Sequence, residues 1–600
     1  MWPALWQFLR AELAVQDGRW GMTWRTAAVC ALVSMVFMVY GIPLAPIACY
    51  LVLFVIKPNT AESLLMGSGV LVLVACIIPV LVWLAAISAD SVVVRMLVLA
   101  LGSFLFMYLS VASKVGEVGS IVALVIGFIM TLVGLAPFGE LLTRAILYAA
   151  LMAAAPMGVM LLFLLATGPS PAQLAQHHLL HRWQALGAVL QGHASAQSLL
   201  PALRAGNAEL DKMLLFVGLF ALLPRARRQQ LQELTRSSYQ LMAALVALPA
   251  STAIDPAMRA RWSARCAVVE QALQAQELMQ EISPEPLRDL PSVLQEIENR
   301  MCSLPGQPTA SMAPSPLPKA GFLNDDVRTN RSYAQFGLKV TFCALVCYLT
   351  YTALQWQDIH TAMITCYVAA LGTVGDTLRK LMLRIGGCLV GATLGCASIL
   401  FLMPHMSNIG QLMALVFVGC LLAAWVAQGS PRISYAGVQI GLAFLLTVLQ
   451  GFGPDVSISV ALDRVYGILL GNLVVFLVFT NVWPLSSFAY VSQVLQKSWV
   501  AVCGFILQPQ AAVQMQAALP ELLPQLQALR EQLAVGQLEL GVRQPPHEPV
   551  AHLQATLDAM ESFYLKAAYA PGYLATPEAH REMRALELQC VPGGVSSCVL

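Results

Sequence analysis

Leu64–Ile87 reads LLMGSGVLVLVACIIPVLVWLAAI, 24 residues without one charged side chain. A helix that crosses the hydrocarbon core of a bilayer needs about 20 predominantly apolar residues, so this stretch predicts a membrane-spanning segment. Working outward from it, apolar runs at Thr26–Tyr40, Ile42–Ile56, Ser91–Val111, Ser120–Leu135 and Ile146–Ala166 complete a first block of six. A second block of six runs Tyr333–Leu354, Ile359–Val374, Leu381–Met403, Gln411–Ala427, Tyr435–Gln450 and Ala461–Val482. The composition agrees. Hydrophobic residues make up 58% of the 600-residue chain and charged residues 11%, and the mean hydropathy is +0.71. A soluble domain carries about 25% charge to keep its surface wet, so much of this surface must face lipid. The 34 Lys+Arg against 32 Asp+Glu give a net charge of +2, which offers no basic field for nucleic acid.

The order of segments predicts six regions. Residues 1–25 form a cytoplasmic N-terminal amphipathic segment, 26–167 a first transmembrane repeat, and 168–303 a first cytoplasmic helical domain. Residues 304–332 are a Pro-rich linker and entry segment, with Pro305, Pro308, Pro314 and Pro316 giving it polyproline-like character. A second transmembrane repeat fills 333–483, and a second cytoplasmic helical domain 484–600. The predicted fold class is therefore an all-α polytopic membrane protein. It has two six-helix transmembrane repeats, about 12 spans, each followed by a cytoplasmic helical domain. None of this looks like a cleaved signal peptide, because Arg10, Glu12, Arg19 and Arg25 precede the first long apolar run.

Duplication is visible in short matches. Cys30-Ala31-Leu32-Val33 recurs as Cys343-Ala344-Leu345-Val346, an offset of 313, and Cys49-Tyr50 recurs as Cys366-Tyr367, an offset of 317. Ile126-Gly127 recurs as Ile440-Gly441, and Arg144 near the start of the sixth span matches Arg464 near the start of the twelfth. An even number of spans per unit makes the two units parallel in orientation rather than inverted. Lys and Arg concentrate on the cytoplasmic side of membrane proteins. With the N-terminus inside, the inner ends hold Arg10, Arg19, Arg25, Lys57, Lys114, Arg379, Lys380, Arg384 and Arg432, against Arg95, Arg144 and Arg464 outside. The N-terminus, middle region and C-terminus are thus expected in the cytoplasm, with no outer loop beyond about a dozen residues.

The residues that could do chemistry are few. No Gly-Lys dipeptide exists, so no Walker A loop, and neither H-E-x-x-H nor G-x-S-x-G occurs. No enzyme constellation, cofactor or metal site is expected. The 14 cysteines include no C-x-x-C, and those in the spans read as small apolar residues. His177 and His181 share a helix face without a nearby third ligand, which reads as a solvated helix start. Intramembrane cations are more informative, because an Arg at the bilayer centre costs roughly 2.5–3.5 kcal/mol on insertion scales. Arg144 and Arg464 either snorkel to the outer interface or form a pseudo-symmetric cationic pair at the exit of an anion pathway, with Asp463 positioned to neutralise Arg464. The second and eighth spans are short, and Pro43 and Pro46 interrupt the second. Short or broken segments at matching places point to a transporter's substrate site, where Tyr50 and Tyr367 would either contact a ligand or sit in an interfacial belt. Asp358, His360, Asp376 and Asp463, all near span ends, are the candidate proton-carrying or gating groups. Gly387, Gly391 and Gly395, with Gly467 and Gly471, step by four, the spacing that lets helices approach closely in lipid.

The layout, the run Arg384-x-Gly386-Gly387…Gly391…Gly395, and Asp463-Arg464-x-x-Gly467…Gly471…Trp483-Pro484 together resemble the fusaric acid resistance / aromatic acid exporter (FUSC-like) inner-membrane permeases of Gram-negative bacteria. The first repeat departs from the pattern, since Gly67 stands where an offset of 317 places the Arg384 equivalent. The resemblance implies a multi-pass bacterial inner-membrane permease that exports aromatic carboxylic acids or related organic anions and drugs. It also implies a periplasmic adaptor (membrane fusion) protein and an outer-membrane channel as partners, and it adds Arg384 to the substrate-pathway candidates. A homodimer is one assembly the reading allows. Export would be driven by the membrane potential, a proton gradient or both. A gated organic-anion channel regulated by the cytoplasmic domains is the alternative, and a membrane scaffold or sensor a second.

Overall fold

In the computed structural model, the described residues are 10–590 except 11, 16–17, 115, 134–138, 249–253, 280–291, 305–321, 325, 451–452, 455–457, 509, 540–546 and 571. The chain is helical almost throughout. The first block forms α1 (Arg19–Val39), α2 (Ala45–Val55), α3 (Thr60–Ser88), α4 (Val92–Ala112), α5 (Glu117–Val133) and α6 (Gly139–Thr167). The middle region forms α7 (Pro171–Leu190), α8 (Leu200–Ala205), α9 (Ala208–Leu219), α10 (Arg225–Ala247), α11 (Pro256–Gln274) and α12 (Ser292–Cys302). The second block forms α13 (Ser332–Ala353), α14 (Thr361–Ala369), α15 (Val374–Ala397), α16 (Ile409–Ala427), α17 (Ser434–Val448) and α18 (Ile458–Asn481). Four more follow: α19 (Ser487–Ile506), α20 (Ala511–Gly536), α21 (His547–Tyr569) and α22 (Pro577–Cys590). The Pro-rich linker falls mostly outside the described residues.

Eight of these helices are long and apolar enough to cross a membrane, all of them in the two blocks, while α2, α5 and α17 are shorter apolar helices. The second and eighth segments are shorter than the sequence reading had them. At 1.5 Å per residue α2 and α14 extend only about 16 and 14 Å, roughly half of a 30 Å hydrocarbon core. Pro43 and Pro46 do not interrupt α2. Pro43 precedes it and Pro46 lies in its first turn, where the missing N–H would have no helical partner anyway. Leu44 makes the entry with a left-handed φ of 63°. Both short helices end in the same hydrogen-bonded turn. The Ser63 hydroxyl accepts from the Lys57 amide at 2.8 Å and donates to the Lys57 carbonyl at 3.0 Å. The Thr377 hydroxyl, 314 positions on, does the same with Leu371 at 3.2 and 3.1 Å.

The two blocks do not stand as separate bundles. Helix α1 packs on α16 and α13 on α4, while α2 packs on α17 and α14 on α5. Met1–Gly168 and Leu317–Leu485 therefore form one compact unit. The first helix also starts earlier than Thr26, because Arg19 finds partners: its guanidinium donates to the Trp425 and Ala14 carbonyls at 3.0 and 2.8 Å and stacks 4.5 Å over the Trp425 ring.

Pro169–Pro316 and Ser486–Leu600 form the second unit, so the two helical domains expected from the sequence share a single core. Neither segment can cover its own apolar faces. Trp183, Tyr239 and Trp262 of the first are buried in one cluster with Trp499, Leu519 and Phe563 of the second. The Tyr239 hydroxyl joins them, 3.1 Å from the carbonyls of both Leu203 and Leu519. Tyr239→Phe removes this link, while the Leu203 carbonyl keeps the Gly206 amide, and is expected to lower the unit's unfolding free energy by about 0.5–1.5 kcal/mol. Thermal unfolding followed by tryptophan fluorescence reads that loss.

A polar cluster ties α21 to α22. Lys566 donates to Glu582 at 2.7 Å, and Tyr573 donates to the same carboxylate. The Glu582 hydrogen bond raises the Lys566 ammonium above its ordinary value. Burial alone would raise Glu582, but the bonds from Lys566 and Tyr573 outweigh it and hold the carboxyl below its usual range. A depressed carboxyl stabilises above its unfolded pKa and loses that as pH falls through the folded one. A raised ammonium stabilises below its unfolded pKa and loses that as pH rises through the folded one. Docking of α22 is therefore expected to be firmest between about pH 5 and pH 10, which hydrogen exchange of α22 amides across that range checks.

Candidate functional site

Helix α15 begins at Val374, seven residues before the predicted start. Thr373 caps it: its hydroxyl accepts from the Asp376 amide at 3.1 Å and donates to the Asp376 carboxylate at 2.7 Å. The shift changes the meaning of Arg384. Counted among the inner loop-end cations from sequence, it instead lies about 15 Å into the helix, with 2% of its surface exposed.

Three helices meet around it. The Arg384 guanidinium donates to the Tyr435 hydroxyl of α17 at 3.0 Å. Gln439, one turn further along α17 and fully buried, faces Cys388 of α15, with sulfur to carboxamide oxygen 3.9 Å. Tyr50 of α2 turns its phenol toward Tyr435, Arg384 and Gln439. Lys380 places its ammonium 5.1 Å from the centre of the Tyr435 ring. The immediate neighbours are thus phenols, an amide and a thiol. Among the described residues no carboxylate pairs with Arg384, and its buried Nε has no hydrogen-bond partner. A buried cation without a counter-charge is costly. A guanidinium fork is shaped to receive a carboxylate through two parallel bonds.

Glycine makes this approach possible. A Cβ on Gly387 would meet the Ala436 carbonyl oxygen at 2.6 Å, and one on Gly395 would meet Thr447 Cβ at 2.6 Å. Gly391 lies against Ile440 and Ala443 in the same seam. Bare backbone at these three turns lets α15 and α17 close to the distance at which Arg384 reaches Tyr435. Gly467 and Gly471 play the same packing part on α18, facing Thr361 and Thr365 of α14.

The other sequence candidates lie elsewhere. Tyr367 is buried on α14 with its hydroxyl 2.5 Å from that of Ser103, and it packs on Gly127. Gly441 is met instead by Leu53. Tyr50 and Tyr367 therefore have different neighbours. Arg144 and Arg464 do not share an environment either. Arg144 is exposed and forms a 2.6 Å ion pair with Glu140 four residues back. Arg464 is half-buried, donates to the Leu446 carbonyl at 2.7 Å, and lines a cavity with Cys388, Ala392 and Ala443. Asp463 is half-buried beside it on α18. Asp376 serves the cap of α15. His360 ends a 3-10 turn, its ring 6.0 Å from that of Phe128, and the side chain of Asp358 falls outside the described residues. Tyr435, Gln439 and Cys388 were not foreseen as site residues. The one signal was polar residues four apart on apolar helices, Tyr435 with Gln439 and Arg384 with Cys388.

Comparison with known proteins points to the same half of the chain. Residues 332–478 match the family described as "Fusaric acid resistance protein-like", a range that includes Arg384, Cys388, Tyr435, Gln439 and Arg464 but not Tyr50. Over 180 residues the chain is 36% identical to "Multidrug resistance protein MdtO" of Shigella flexneri and of Escherichia coli (strain K12). That alignment takes in 30% of this chain and spans 26% of the length of each relative. No solved structure matches. The family match falls on the second membrane block, with the buried Arg384 cluster inside it.

Proposed function

We propose that this chain is a bacterial inner-membrane efflux permease that exports organic anions, aromatic carboxylic acids first among them, and that Arg384 receives the substrate carboxylate. The carrying observation is the cation itself, buried in an apolar bundle, without a carboxylate counter-charge among the described residues and with its own Nε unfilled. An anionic substrate supplies both the missing charge and the missing acceptor. Tyr50 and Tyr435 supply ring faces and hydroxyls for the aromatic part, and fusaric acid is itself an aromatic carboxylic acid. The name of the MdtO relatives, multidrug resistance, fits a permease that accepts more than one compound.

The membrane potential can drive such export. At about 2.3 kcal/mol per charge per 100 mV, an assumed ~150 mV contributes roughly 3.5 kcal/mol, a gradient of a few hundred-fold for a monoanion. A proton-carrying carboxylate is therefore not required. The recurrence of one turn and one glycine contact at 314-residue spacing supports a tandem duplication with both blocks in one orientation. The excess of Lys and Arg at the inner ends, even without Arg384, supports a cytoplasmic N-terminus and helical unit. On that topology the outer loops are short, and a periplasmic adaptor and outer-membrane channel would complete the route across the envelope.

A strain deleted for the gene tests the reading. It should be hypersensitive to a panel of aromatic acids, recover with the wild-type gene, and fail to recover with Arg384→Ala. Arg144→Ala should recover as wild type. Equal growth of the Arg384→Ala and wild-type strains would overturn the assignment. Uphill export persisting in vesicles with the potential collapsed and only a pH gradient left would overturn the potential-driven part. Single-channel currents without saturable counterflow would make the protein a channel.

A further inference from the structure

We infer that the substrate path runs only through the second block, from Arg384 along Cys388 and Ala392 to Arg464, while the equivalent path in the first block is plugged by branched aliphatic side chains. This rests on Arg384 as the anion site. Arg384, Cys388 and Ala392 stand at successive turns on one face of α15. The last two line a small, partly open cavity of about 20 Å³ together with Arg464 of α18 and Ala443 and Thr447 of α17. Cys388 also touches Gln439, so the cavity and the Arg384 cluster share a wall. In this conformation the cavity has room for one water molecule. An aromatic acid passes only when α18 moves away from α15. Small residues at Ala392 and Ala443 leave the width, and Arg464 gives the leaving anion a second cation.

The first block lacks the α15 and α17 parts of this. The register of 314 is set by the Ser63 and Thr377 turns on one side and by Gly127 and Gly441 on the other. It puts Val70, Val74 and Ile78 at the places of Arg384, Cys388 and Ala392. Ile129 and Val133 replace Ala443 and Thr447, and both are buried. The glycines are gone too: Leu73, Ile77 and Leu81 stand for Gly387, Gly391 and Gly395, all three in the apolar core. The α3–α5 pair is therefore held apart by side chains where α15–α17 is in backbone contact. A tandem duplication has kept the frame in both halves and the conduit in one, which makes the protein a one-anion, one-path carrier.

The test uses the full-length protein in proteoliposomes and nanodiscs, with fusaric acid as the probe for both flux and equilibrium binding. Ala392→Phe is expected to cut flux at least tenfold while binding stays within about twofold. The matched Ile78→Phe should leave both unchanged. Arg464→Gln, which adds no bulk, should lower flux with little effect on binding, and Arg464→Lys should restore much of it. Wild-type flux in Ala392→Phe or in Arg464→Gln overturns the path, as does a loss in Ile78→Phe equal to that in Ala392→Phe. If Ala392→Phe loses binding as well, the Arg464→Gln result decides. The two proposals fail separately. Arg384→Gln that still binds fusaric acid sinks the anion site, whereas Arg384→Gln without binding and Ala392→Phe with normal flux sinks only the path.

Discussion

Arg384→Gln is expected to weaken binding of an aromatic carboxylate by at least about 30-fold and, without ligand, to raise the protein's melting temperature. The first effect follows from removing a buried partner of a charge pair, which costs about 2–5 kcal/mol of binding. The second follows from the free state. Arg384 is charged, buried among the helices, and balanced by no carboxylate among the described residues. Its Nε makes no hydrogen bond. Taking a charge out of water is expensive, and uncharged replacements of buried ions are often neutral or stabilising. A structural arginine would behave oppositely, losing stability on removal and leaving affinity alone. Arg384→Lys should recover only part of the binding, because an ammonium is a point charge without the planar fork. Isothermal titration with the nanodisc-embedded protein, paired with a melt in the presence and absence of ligand, separates these outcomes.

Gly391→Leu is expected to prevent the second block from assembling, at a cost of at least about 3 kcal/mol, at or beyond the upper end for overpacking. A Cβ at 391 would sit 2.8 Å from the Ala443 Cβ and closer still to the Ile440 carbonyl oxygen. That oxygen belongs to the α17 backbone and cannot swing aside as a side chain could. The helices must part, and Arg384 then loses Tyr435. Gly386, on the same helix, has nothing within 4 Å of its Cβ position, so Gly386→Leu should be tolerated. Size-exclusion profiles of the two variants extracted in mild detergent make the comparison. Equal monodispersity would mean that the glycine seam is not what holds α15 to α17.

Much of the architecture could be read along the chain. Apolar runs long enough to cross a bilayer announce themselves by composition, and Leu64–Ile87 became α3 with its ends moved by only a few residues. The glycine step on α15 was also legible, because four-residue spacing on one helix face is a local property. Less could be read at the ends of segments. The beginning of α15 depends on the Thr373 cap, which hydropathy does not see, and that error of seven residues turned the most informative cation into a topological marker. The different surroundings of Tyr50, near Arg384 and Gln439, and Tyr367, against Ser103 and Gly127, were not legible either, because they depend on which distant helices meet.

What the sequence determined by itself is what depends on neighbours along the chain: which segments are apolar, that a polar stretch parts them into two blocks, and where small residues share a face. What only the tertiary structure decided is which distant segments meet. Tyr50 comes from the first block, Arg384 and Gln439 from the second, and only the packing of α2 on α17 brings them together. The middle and C-terminal helices likewise form one unit because neither can bury its aromatic faces alone. Apolar side chains attract without specifying a partner. The choice among partners falls to backbone contact at glycines, to caps that set helix ends, and to the few polar groups that must find one another inside.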